Sequence, residues 1–140
     1  MQKKHSILVP IDGSAPSLRA LNEALLLAKK LEYSLECMYV VEPMRVLDYG
    51  VMQSVKHDLF EKGAKILATA KRKASQKGVK YKEKITMGDP DHIIVAYAKQ
   101  IKPGMVVIGS RGMGGPKELF LGSVSNYVVH KSPFPVLVVK

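Results

Sequence analysis

Apolar residues along this chain switch repeatedly between a two-residue and a roughly four-residue period, and that switching predicts the architecture. Ser6-Ile7-Leu8-Val9-Pro10-Ile11 is a short apolar run closed by Asp12-Gly13-Ser14, a strand followed by turn chemistry. A helix follows: Pro16 suits its first turn, Leu18, Leu21, Leu25 and Ala28 recur at helical spacing, and Arg19, Glu23, Lys29 and Lys30 lie off that stripe. A second strand is expected from about Ser34 to Val41, ending at Glu42-Pro43, and residues 44 to 53 lack periodicity and read as a loop. From about Val55 to Gln76, Leu59, Ile66, Ala70 and Ala74 mark one face of a long helix with a lysine-rich opposite side, stopped by Gly78. Val79 to Met87 alternates strictly, with lysines at 80, 82 and 84 on one face, as suits an edge strand protected against further pairing. Asp89-Pro90 predicts a cap and first helical residue, with Ile93, Tyr97 and Ile101 as the apolar stripe. Met105-Val106-Val107-Ile108 is continuously apolar, as a strand covered on both faces requires. A glycine-rich segment from Gly109 to Gly115, a helix from about Ser123 to Lys131 and a strand at Val136 to Val139 complete the pattern.

Five βα-like units in succession imply a doubly wound α/β fold, a five-stranded parallel sheet with helices on both faces, because parallel neighbours need a right-handed crossover. No internal repeat, low-complexity tract or linker interrupts the pattern, so residues 1–140 are expected to form one domain, and 46% hydrophobic content is enough for its core.

Charge and composition narrow the partners. No apolar run approaches the roughly 20 residues of a membrane helix, and Met1-Gln2-Lys3-Lys4-His5 leads into a short strand-like run instead of a signal-peptide core, so a soluble, cytoplasmic chain is expected. The single Cys37 excludes an internal disulfide framework and reads as a structural thiol in a buried strand. The net charge of +10 raises the question of nucleic acid, but seven of those charges fall in residues 43–88, on the second helix and the lysine-lined strand. With 6% aromatics and no tryptophan, a base-stacking platform is absent from the pattern, and the excess reads as solvation, edge protection and a docking surface for an acidic partner.

In open α/β sheets, ligands sit beyond the carboxyl ends of the strands where strand order reverses. Two such ends stand out: Pro10-Ile11-Asp12-Gly13-Ser14, and Gly109-Ser110-Arg111-Gly112-Met113-Gly114-Gly115. Glycines let backbone amides approach a phosphate, and Gly122-Ser123 places a helix N-terminus nearby in sequence, so backbone and the Ser123 hydroxyl together suggest a polyphosphate cradle. Equally, these glycines could only shape a loop and cap a helix, and Asp12 could serve only the turn. A P-loop is excluded, since Gly104 to Gly109 has its spacing but Ser110 stands in place of the lysine; the first turn carries no dinucleotide fingerprint either. His5, His57, His92 and His130 fall in different elements with no i, i+4 pair and no nearby carboxylate cluster, so no metal site is assigned. No serine has an assignable histidine and carboxylate, and no catalytic residue is named. Met44 and Met52 flank the 44–53 loop and read mainly as packing residues.

Gly109, two residues, Gly112, nine residues and then Gly122-Ser123 match the Gly-x2-Gly-x9-Gly-Ser/Thr pattern of the ATP-binding branch of the universal stress protein family, which the chain resembles over essentially its whole length. The matching segments are Ile7 to Ser14, Met38 to Pro43, Gly88-Asp89-Pro90, Val107 to Gly112 and Ser132 to Val139; Tyr39 departs from the pattern where histidine is common. The resemblance implies a flavodoxin-like strand order of 3-2-1-4-5. It implies that Pro10 and Asp12 line the adenosine and ribose region, that the Val40 backbone meets adenine, and that Gly109 and Gly112 wrap the ribose and phosphates. Gly122, Ser123 and the Val124 amide would hold the phosphate chain, with Arg111 and Lys117 as further phosphate partners. The expected function is a regulatory protein that binds ATP, or AMP or ADP, with magnesium arriving on the phosphates and no dedicated protein cage for it. At most slow hydrolysis is expected, since no base or arginine finger is assignable. An ATP-using enzyme with an unidentified acceptor and a basic nucleic-acid-binding module are the alternatives. The last strand, Val136 to Val139, is an unprotected apolar edge and is expected to pair with its copy in a homodimer, with a further protein partner left open.

Overall fold

The computed structural model describes residues 5–43, 49–111 and 121–140. Five strands and four helices alternate: β1 (Ser6–Pro10), α1 (Ala15–Leu31), β2 (Ser34–Val41), α2 (Tyr49–Gln76), β3 (Tyr81–Met87), α3 (Pro90–Ile101), β4 (Met105–Gly109), α4 (Ser123–Lys131) and β5 (Val136–Val139). All strands run parallel in the order β3-β2-β1-β4-β5, which puts the strand-order reversal between β1 and β4, as the family resemblance implied.

The period-two pattern of each strand divides the core in two. On one face Ile7, Val9, Leu35, Cys37 and Val107 pack with Leu21, Leu25, Ala28 of α1 and Leu67, Ala70, Ala74 of α2. On the other, Leu8, Met38, Val106 and Ile108 pack with Ile94, Val95, Ala98 of α3 and Val128 of α4. Cys37 is fully buried, and burial pushes its thiol up to about 12, so it is an inert packing group.

The start of α2 and the buried face of α3 differ from the sequence reading. α2 starts at Tyr49, inside the segment expected to be a loop. Gly50 weakens the local helix signal by about 1 kcal/mol, but extending an existing helix is far cheaper than nucleating one. In α3 the fully buried residues are Ile94, Val95 and Ala98, while the expected stripe of Ile93, Tyr97 and Ile101 is only half-buried. α3 packs against both the sheet and α4, so its apolar face is wider than one four-residue row, and the predicted row is its margin.

Candidate functional site

The site is assembled where β1 and β4 leave the sheet side by side. After β1, the Asp12 carboxylate accepts a hydrogen bond through Oδ1 from the Ser14 N–H at 2.8 Å, closing a turn, and Gly13 takes φ +86°, a left-handed conformation that suits glycine. Ser14 then caps α1, its hydroxyl accepting from the Ser17 N–H at 3.3 Å. Ser17 donates its hydroxyl to the Ser14 carbonyl at 3.0 Å. The turn reading of Asp12 and its position at the cleft therefore hold together: the same hydrogen bond that shapes the turn fixes the carboxylate at the rim. Tyr39 lies near enough to feel that charge; its hydroxyl pKa is raised first by burial and then by Asp12.

After β4, the chain is tied down through one residue. Ser110 donates its N–H to the Val139 carbonyl at 2.8 Å, and its own carbonyl accepts from the Gly122 N–H at 2.7 Å and from the Ser125 hydroxyl at 2.8 Å. Gly122 is the N-cap of α4, with φ −69° and ψ 165° and no side chain to cover the first-turn amides. The N-terminus of α4, with its partial positive charge, is thereby pinned beside the end of β4.

Between these two ends lies a cleft of about 110 Å³. Six of the ten residues named from the sequence line it: Pro10, Asp12, Val40, Gly109, Arg111 and Val124. Gly122 and Ser123 begin α4 immediately before Val124, and Gly112 and Lys117 lie outside the described residues. The sequence reading missed Ser17, Glu42 and Ser125, among others. Serines at 14 and 17, and at 122-plus-three, sit at helix-cap spacing, which was the available signal. Met38, Ile94 and Ile108 also line the cleft, a role the sequence reading gave to none of them; they give it an apolar floor.

Gly109 is needed for a reason that its place in a glycine-rich run concealed. A Cβ there would stand 2.7 Å from the Pro16 carbonyl carbon and 2.9 Å from both the Pro16 oxygen and the Ser17 nitrogen, so the α1 backbone occupies the side-chain space. Its absent side chain serves packing against α1, while its backbone borders the cleft.

One expectation is corrected beside the cleft. His92 does have carboxylates at hand: its Nδ1 is 2.7 Å from Asp91 Oδ1 and 3.2 Å from Asp89 Oδ2, and its ring lies 4.8 Å from that of Tyr127 on α4. Asp89 occupies the N-cap position of α3 but makes no side-chain cap, because its carboxylate turns to His92 one helical turn on. The hydrogen bond and charge of Asp91, reinforced by Asp89, raise the His92 pKa.

The sequence profile described as the universal stress protein family matches residues 4–140. The chain belongs to this family. The Bacillus subtilis universal stress protein YxiE is 36% identical over 97% of this chain and 99% of that relative. Universal stress protein UspA from Lactobacillus plantarum superposes with a TM-score of 0.91 over all of both chains at 26% identity. A universal stress protein solved in complex with cAMP superposes with a TM-score of 0.70 over 97% of this chain and 96% of that one, at 25% identity. The family shares the five-stranded sheet order seen here. Among the described residues no helix is long and apolar enough to cross a membrane.

Proposed function

We propose that this family member is a regulatory protein that holds an adenine nucleotide, ATP with AMP or ADP as alternative occupants, in the β1/β4 cleft, and that occupancy is read out through self-association or a protein partner. The observation that carries this reading is the pairing of an apolar floor with a helix N-terminus at one switch point. Pro10, Val40, Ile94 and Ile108 suit the faces of a planar base, which loses little on leaving water. Asp12 offers a fixed acceptor for ribose hydroxyls, and the first amides of α4, with Arg111 at the margin, suit phosphate. Such a group fits the residues present, and a magnesium ion would come with the triphosphate. The solved neighbour in complex with cAMP supports the adenine nucleotide class. Denaturing the purified protein and identifying the released small molecule is expected to yield an adenine nucleotide. Calorimetry on stripped protein is expected to register ATP binding; absence of heat at millimolar ATP, with no nucleotide released, overturns the reading. Sustained turnover above about one per minute would favour the enzyme alternative.

The same reading includes a homodimer through β5. This strand is an open edge of four apolar residues, with Leu137 40% exposed. The flanking helices also carry exposed apolar residues, Val129 of α4 at 38% and Leu26 of α1 at 47% exposure, and on α1 the Arg19 Nε donates to the Lys140 carbonyl at 2.9 Å. Sedimentation at micromolar protein is expected to give the dimer mass, and monomer alone across a dilution series refutes it.

A further inference from the structure

The opposite edge of the sheet, β3, is built differently from β5. In the ladder to β2, the Leu35 N–H donates to the Lys80 carbonyl at 2.8 Å and the Gly88 N–H to the Val41 carbonyl at 2.9 Å. With the parallel register running from Leu35 opposite Tyr81 to Val41 opposite Met87, the even-numbered residues of this segment face β2 through their backbone groups. The N–H and C=O groups of Tyr81, Glu83, Ile85 and Met87 therefore point away from the sheet, along an edge that no described strand covers. Lys80, Lys82 and Lys84 are exposed and alternate on one side of this edge, about 7 Å apart. Lys80 and Lys82 end a stretch, residues 62–82, with eight lysines and arginines and no carboxylate. Lys82 makes no ion pair with a described carboxylate: its register partner Glu36 is buried, and Lys84 stands 5.9 Å from the centre of the Tyr97 ring.

We propose that the β3 edge is a docking strand for an extended acidic segment of a partner protein, which pairs its backbone with Tyr81, Glu83, Ile85 and Met87 and sets carboxylates against Lys82 and Lys84. An edge strand offers alternating donors and acceptors, and another polypeptide backbone satisfies both. The lysines then select the occupant. A second copy of β3 would bring lysine against lysine, which is repulsive, whereas aspartate or glutamate at alternate positions forms favourable cross-strand pairs. The feature that prevents self-pairing thus specifies the charge of what pairs instead. Nucleic acid is the weaker fit: outward carbonyls and the Glu83 carboxylate oppose phosphate, and Tyr81, the aromatic of this edge, has its hydroxyl held by the Leu67 carbonyl and Glu83, both at 2.9 Å, with its ring against the core.

The test uses the full chain and a fluorescein-labelled eight-residue peptide alternating glutamate with threonine. Anisotropy is expected to show saturable binding that the lysine-for-glutamate peptide lacks, and Lys82→Glu with Lys84→Glu is expected to weaken it at least about tenfold. Hydrogen exchange on the unaltered protein is expected to show new protection at the amides of Tyr81, Glu83, Ile85 and Met87 when the peptide is added. Glu83→Pro, which removes an outward N–H and leaves the β2 ladder intact, is expected to weaken binding comparably. Binding without protection of those four amides overturns the proposal, because charge alone would then be responsible. Equal or tighter binding of a single-stranded oligonucleotide of the same charge overturns it in favour of a phosphate-binding face.

Discussion

Gly109→Ala is expected to lower the melting temperature by about 10 °C, corresponding to roughly 3 kcal/mol in a domain of this size. The cause is the α1 backbone at Pro16 and Ser17, which stands 2.7 to 2.9 Å from the site of the new methyl. A side chain in the way could change rotamer, but a helix start cannot, because Ser14 caps it and Leu18 donates to the Ser14 carbonyl at 3.0 Å. Relief requires α1 to recede from β4, which opens the packing of Ala20, Leu21 and Ala24. Thermal denaturation followed by circular dichroism reads the effect directly. An alanine variant melting within about 2 °C of the parent would show that α1 is free to withdraw, and the packing account of this glycine would be wrong.

Gly122→Asp is expected to separate binding from stability in the opposite way. The φ of −69° and ψ of 165° at this N-cap are open to any residue, and aspartate is among the preferred caps. Its carboxylate accepts the first-turn N–H groups of α4 and meets the positive end of the helix, so stability is expected to stay level or rise by a few tenths of a kcal/mol. Those same groups are the ones offered to phosphate under the proposed function. Affinity for ATP is therefore expected to fall about a hundredfold, through lost donors and added charge repulsion, while affinity for adenosine, which brings no phosphate, is retained. Calorimetry with both ligands makes the comparison. ATP affinity within about threefold of the parent would remove α4 from the phosphate site.

These two glycines show where reading the sequence succeeds and where it stops. The alternation of strands and helices and the two strand ends that border the cleft were accessible from periodicity and turn chemistry, because these depend on residues close in the chain; strand order, and Pro10, Asp12, Val40, Gly109, Arg111 and Val124 as cleft residues, came instead from what the family resemblance implied. The reason for Gly109 was not accessible, since it lies in the approach of a helix more than ninety residues earlier in the chain, and no local pattern encodes that distance. Ile94, Ile108 and Met38 were hidden for a different reason: a side chain that faces both core and cleft has the same hydrophobic signature as one that faces the core alone. The Asp89–His92 contact was readable at i, i+3 spacing, but the capping assignment of Asp89 competed for the same carboxylate, and three dimensions settled that competition in favour of histidine.

Ser110 joins two separate parts of the fold. Its N–H holds the end of β5 at Val139 and its carbonyl holds the start of α4 at Gly122, so a single peptide unit on either side of one residue links the edge proposed for self-association to the helix proposed to meet phosphate. Under the proposed function, a shift of β5 on pairing is either absorbed at Ser110 or delivered to the α4 amides. By thermodynamic reciprocity, whatever factor nucleotide adds to assembly, assembly returns to nucleotide affinity.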